Sequence, residues 1–175
     1  MRIMKLIAFL FIMGCTSQKN LVSTSNIEHL KDVVFNKTIE FNALQANPLV
    51  TPFSMDNGNL FISGSNSYYI NLTNIPNYLK IESDRIKMSL PFYGQHQLAN
   101  NYNGQKNNLV LDETIQEKSI TYNEKRNSFT IKMRVKGEEE SLEIKYTLHP
   151  NKNASLTIDS THRNTISYNG NWVGK

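Results

Sequence analysis

Phe129-Thr130-Ile131-Lys132-Met133-Arg134-Val135 and Leu142-Glu143-Ile144-Lys145-Tyr146-Thr147-Leu148 are the two stretches that decide the fold class. In each, apolar side chains alternate strictly with polar or charged ones, the period of a strand that buries one face and wets the other. Gly137 and the glutamates 138–140 separate them, so the pair reads as a β-hairpin. A Gly137-Glu138 turn of type II′ sets Lys132 opposite Glu143, whereas a Glu138-Glu139 loop sets Arg134 there. Both registers keep the apolar face intact, and the choice stays open at the level of sequence.

The same period extends in both directions. Downstream, Leu156-Ile158 and Ile166-Tyr168 flank the turn-rich Pro150-Asn151-Lys152-Asn153 region. Upstream, Leu79 and Ile81 lead through Glu82-Ser83-Asp84 into Ile86, Met88 and Leu90, a second hairpin with that triplet at its tip. Ile120 and Tyr122 suggest a further strand, as do Tyr68, Ile70 and Leu72. Phe35, Ile39, Phe41 and Ala43 share a parity, with Lys37 as an exception, before Pro48 and Pro52 interrupt. About eight short strands, each with one wet face, predict an all-β fold: an antiparallel meander forming a sandwich or a barrel. Ser25 and Glu28 have capping-box spacing, and Ile27, Leu30 and Val34 recur on one helical face. One short N-terminal helix is therefore expected to about Val34, lying over an end of the sheet.

Ahead of this domain stands an export signal. Arg2 and Lys5 precede an apolar run from Leu6 to Met13, and small Gly14 sits directly before Cys15. The run is too short for a bilayer, which takes roughly 17–25 residues, so cleavage after residue 14 is the expectation. Ile12-Met13-Gly14-Cys15 resembles the bacterial lipobox, with Met13 a less usual choice. That resemblance implies a diacylglyceryl group on the Cys15 sulfur and a further acyl chain on the freed amine. Several chains anchor stably where one holds only reversibly. Cys15 is the sole cysteine, so the chain holds no internal disulfide and its fold rests on the apolar core. The expected organisation is a cleaved signal at 1–14, a lipidated cysteine with a flexible tether at 15–26, and a single β domain at 27–175. The expected location is the outer membrane, and the absence of an acidic run after Cys15, which in some Gram-negative lineages marks export to the cell surface, points to the side facing the periplasm.

Removing Arg2 and Lys5 from the 19 basic side chains leaves 17 against 15 acidic ones. A nearly neutral mature chain with no Lys/Arg stripe excludes a nucleic-acid track.

Leu90-Pro91-Phe92-Tyr93-Gly94, and Arg163 followed by Ile166-Ser167-Tyr168-Asn169-Gly170, are short motifs placed around the same strands. With the signal and the early Phe35 to Phe41 segment, they resemble the bacterial lipoprotein family of the domain of unknown function 4251, over roughly residues 30–173. That family more often carries tyrosine then phenylalanine at the positions of Phe92 and Tyr93. The resemblance implies fold and address and assigns no chemistry.

Pro91 should end its strand and Gly94 should permit a positive φ, delivering Phe92 and Tyr93 to a rim of the sheet. This is either a core-closing corner or a ligand rim. Arg163 either ties down carbonyls of the last strand or meets an anionic group on a ligand or lipid headgroup. The candidate ligand or partner rim is accordingly Phe92, Tyr93, His96, Arg163 and Tyr168.

Catalytic, metal and cofactor sites find no support. His29, His96, His149 and His162 stand far apart without zinc-type spacing. Asp56-Asn57-Gly58-Asn59 begins like a calcium loop but has Ser67 where a bidentate glutamate belongs. Ser63-Gly64-Ser65 lacks a nucleophile-elbow frame. Glutamates 138–140 read as a solvated hairpin tip. No enzyme is expected. The expected function is a membrane-anchored binding module for a small amphipathic or apolar ligand. The alternative is a structural lipoprotein docking another envelope component without a ligand.

Overall fold

The structure, a computed structural model, describes residues 23–49, 69–94, 108–138 and 140–175. The signal segment, Cys15, most of the tether, the Asp56 and Ser63 segments, Tyr68 and His96 lie outside them.

Helix α1 runs Thr24–Asn36 and buries Leu30, Val33 and Val34. It opens earlier than the capping-box spacing implied, taking in the last residues assigned to the tether. Ser23 is the N-cap and no side chain caps the first turn, so the expected Ser25 and Glu28 box does not form. Burial of one face against the sheet, more than capping, holds a helix this short. Phe35 belongs to its last turn and is exposed, with its ring edge-on to Phe129 at 5.9 Å. The change of period therefore falls at Ile39 and not at Phe35.

Nine strands follow among the described residues. They are β1 (Ile39–Pro48), β2 (Ile70–Asn71), β3 (Tyr78–Glu82), β4 (Arg85–Pro91), β5 (Asn108–Asn123), β6 (Ser128–Lys136), β7 (Ser141–Leu148), β8 (Asn153–Ser160) and β9 (Ile166–Gly174). From β3 to β9 each strand pairs antiparallel with the next, and β1 pairs with both β3 and β9. That closes a ring of eight strands, with the two-residue β2 added on β1 beside β3. The protein is thus an antiparallel barrel and not a sandwich. Closure removes the sheet edges that would otherwise template aggregation.

Local chemistry sets the registers. Arg134 faces Glu143 across β6 and β7, and the Gly137 N–H donates to the Glu140 carbonyl at 2.9 Å. This is the register of the Glu138-Glu139 loop, and Arg134 reaches Glu143 at 3.2 Å and Glu117 at 2.8 Å. Glu82 pairs with Arg85, which narrows the second hairpin's tip to Ser83 and Asp84, with Ser83 at φ 52°. Strand β1 skips Leu44 in its pairing with β9, a bulge that moves the buried parity from Ile39, Phe41 and Ala43 to Ala46. The first half of β5 escaped the sequence reading because Leu109, Val110 and Leu111 form a run. Only Leu109 and Leu111 point inward, and Val110 is exposed.

An eight-stranded ring is just wide enough for side chains to fill or for one small ligand. Here Trp172, Tyr146, Tyr168 and Phe41 are the largest fully buried side chains, and the Phe41 and Tyr146 rings meet edge to face at 5.5 Å. Helix α1 covers one end. A Cβ at Gly174 would collide with Val33, and Thr38 and Lys175 exchange backbone hydrogen bonds at 3.1 and 3.0 Å. The opposite, distal end gathers the last residues of β1, β4, β6 and β8 and the first of β5, β7 and β9.

Candidate functional site

The distal end brings together two motifs more than 70 residues apart in sequence. Strand β4 ends at Pro91 and delivers Phe92 inward, 4% exposed. Gly94 is not in the left-handed region; a Cβ there would strike the Phe92 ring. Its role is therefore clearance for the aromatic and not the positive φ expected. From β9, the Tyr168 hydroxyl donates to the Pro91 carbonyl at 2.8 Å. The corner's carbonyl is thus held by a tyrosine from across the barrel.

Arg163 sits in the turn between β8 and β9, only 7% exposed. Its Nε donates to both Glu140 oxygens, at 3.0 and 3.2 Å, and its guanidinium carbon stands 5.1 Å from the Phe92 ring centroid, a cation–π distance. The Ser160 hydroxyl donates to the same carboxylate while accepting the N–H groups of His162 and Arg163 at 3.0 and 3.2 Å. That ties the turn to the end of β8. The anionic group that Arg163 meets is thus the chain's own.

This corrects the reading of residues 138–140 as wholly solvated. The Glu140 side chain is 14% exposed and belongs to the cluster. A signal for it was present: Glu140 continues the even parity of Leu142, Ile144, Tyr146 and Leu148, all of which point inward. Ser160 likewise continues Ala154, Leu156 and Ile158.

Of the predicted rim residues, the structure joins Phe92, Arg163 and Tyr168 in one buried cluster, with Tyr93 half-buried beside it and packed against the core. Burial pushes the Tyr93 hydroxyl pKa up. The Tyr168 hydroxyl is pushed up by burial and by Tyr93, with Arg163 opposing, so these phenols stay protonated as donors at any physiological pH. His96 lies outside the described residues.

A further polar group sits in the interior. Tyr146, on β7, is fully buried, and its hydroxyl has no hydrogen-bond partner among the described residues. Burial raises its pKa. No group of three or more His, Cys, Asp or Glu converges among the described residues, and no helix among them is long and apolar enough to cross a membrane.

These features define a class: small antiparallel β-barrels with one helix over an end and a buried arginine–carboxylate cluster at the other. The chain belongs to the family of the domain of unknown function DUF4251, whose sequence model matches residues 22–172. It is similar to the crystal structure of a DUF4251 family protein from Bacteroides eggerthii DSM 20697, at 16% identity and a TM-score of 0.57, over 86% of this chain and 88% of that one. At that identity the likeness carries the fold alone. No curated protein matches the chain.

Proposed function

We propose that the protein is a lipid-anchored lipoprotein of the bacterial cell envelope that binds a small amphipathic or apolar molecule in its barrel, entering past Tyr93 at the distal end. The carrying observation is the Tyr146 hydroxyl, buried without a partner among the described residues. A buried donor left unpaired costs about 1–3 kcal/mol, and such groups in native proteins are met by a ligand atom or an ordered water. A molecule with an apolar body and one polar atom suits both that hydroxyl and the Phe41 ring beside it. In this reading acyl chains on Cys15 hold the domain at the outer membrane, facing the periplasm, and binding involves no catalysis.

Native mass spectrometry of the mature protein drawn from its own envelope tests the proposal. The expected result is a mass beyond protein and anchor that disappears in Tyr146→Phe. Repeated absence of any added mass overturns it. Labelled palmitate should enter the wild type and not Cys15→Ala, and equal membrane fractionation of the two would overturn the anchor.

One observation favours a second reading, a docking lipoprotein with a solid core. Phe92, Arg163 and Glu140 already engage one another and the Tyr168 hydroxyl is spent on the Pro91 carbonyl, which leaves the outer surface for recognition. In that case Tyr146→Phe raises stability and the protein crosslinks to an envelope partner without carrying a ligand.

A further inference from the structure

The outer face where β8, β9 and β1 adjoin differs from the rest of the barrel wall. Elsewhere many wet positions carry charges, several of them in ion pairs: Arg134 with Glu117 and Glu143 on β5 to β7, and Arg85 and Lys87 with Asp112 on β4 and β5. Here a groove of about 520 Å³ is lined by ten residues, and five of them are carboxamides: Gln45, Asn151, Asn153, Asn169 and Asn171. Ser155 and His149 supply further polar atoms, and none of the ten is an acid, a lysine or an arginine. His149 is half-buried, and that burial together with the charge of Arg126 lowers its pKa, so its imidazole is neutral near pH 7.

The sheet register builds the array. Asn153 stands opposite Asn171, and Asn169 stands between Ser155 on one side and Gln45 on the other. Adjacent strands lie about 4.8 Å apart, a spacing that places neighbouring amides within reach of successive hydroxyls on one molecule. The side chains of Asn153, Asn169 and Asn171 form no hydrogen bond with another described residue. The groove's floor depends on Gly170, where any Cβ would collide with the Asn42 carbonyl and the Ala43 backbone. Its wall is the bulged Leu44, 39% exposed, an apolar contact of the size of a sugar ring's C–H face.

We propose that this groove binds a neutral polyhydroxylated ligand, an oligosaccharide, at a site separate from the barrel interior. A carboxamide offers donors and an acceptor in one plane and so answers a hydroxyl, which is also both. An uncharged array disfavours phosphates and carboxylates, whose strongest partners are the charge-assisted donors of Arg and Lys that the groove lacks. Covering amides with hydroxyls also avoids the desolvation of a charge. A wall meant only for solubility would carry the Lys and Glu found on the other strands.

The test is NMR titration of the 15N-labelled mature protein in detergent with maltohexaose, cellohexaose and mannohexaose through the millimolar range, and with an anionic oligogalacturonate of the same length. The expected result is saturable shifts in the side-chain NH₂ signals of Asn153, Asn169 and Asn171 with at least one neutral sugar and none with the anionic one. Asn169→Ala/Asn171→Ala should weaken that binding about tenfold or more through the loss of two hydrogen bonds. Lys132→Ala on β6 should leave it unchanged. The proposal is overturned by the absence of saturable shifts with all three neutral sugars, by equal binding of the anionic one, or by undiminished affinity in the double variant. Concentration-dependent broadening of the groove signals without sugar would also overturn it, because a second copy of the chain would then be the occupant.

Discussion

Replacing Glu140 with alanine removes the carboxylate from a guanidinium whose side chain is 8% exposed. Breaking a buried pair by deleting one partner costs about 3–5 kcal/mol, because the surviving charge stays desolvated. The Glu140 side chain is itself 14% exposed, and Arg163 retains its place over Phe92, so the lower end, about 3 kcal/mol, is the expected loss. The Ser160 hydroxyl loses its acceptor in the same step. Trp172 is the only tryptophan of the chain and is buried, so its fluorescence reports unfolding in urea without added probes. With a urea slope of about 1–3 kcal/mol/M for a domain of this size, the midpoint should fall by about 1–3 M. A double variant, Glu140→Leu/Arg163→Met, should recover most of the loss, since an apolar replacement leaves no orphaned charge. If Glu140→Ala costs under about 1 kcal/mol, as an exposed pair would, the distal cluster is solvated and the reasoning fails. A double variant worse than either single one would refute the charge argument in a different way, by showing that packing decides the site.

Other consequences follow from the same geometry. Trp172→Ala, read by circular dichroism, should cost about 3–5 kcal/mol, since it empties the largest buried side chain and removes the indole N–H bond to the His149 carbonyl at 2.8 Å. Gly170→Ala should destabilise by about 1–3 kcal/mol through overpacking at the β1 to β9 seam, with exchange of the Asn42 and Ala43 amides rising before global unfolding. Arg134→Ala, on an exposed pair, should change stability by under about 1 kcal/mol. The lowered His149 pKa means that the unfolded chain takes up the proton first. Stability from this group is therefore complete above its ordinary value of 6.5 and declines as pH falls below it. His149→Gln should flatten the stability profile between pH 7 and its lowered pKa, and an unchanged slope would show that the imidazole is solvated.

Much of the barrel was legible because a strand with one wet face writes its period into the chain. Ile86, Met88 and Leu90, or Leu142 through Leu148, need no partner to declare which side they bury. Where the run was continuous, at Leu109 to Leu111, the period vanished and the strand went unseen. Phe35 was misplaced because an aromatic at a helix end shares parity with the following strand by accident of spacing. The distal cluster was half legible. Phe92, Arg163 and Tyr168 stood out as motifs, whereas Glu140 hid inside an acidic run whose average character was that of a solvated tip.

The sequence by itself determined the alternation, the turn positions, the short helix, the family and the expectation of a lipidated thiol at Cys15, since each is written within a few neighbouring residues. Tertiary structure alone decided that β1 meets β9 to close a barrel, that Arg163 spends its charge on Glu140, and that Tyr146 is buried without a partner among the described residues while five amides line one outer face. Those are long-range pairings, in which the identity of a neighbour depends on closure of the whole ring and on no local preference of the residues that meet.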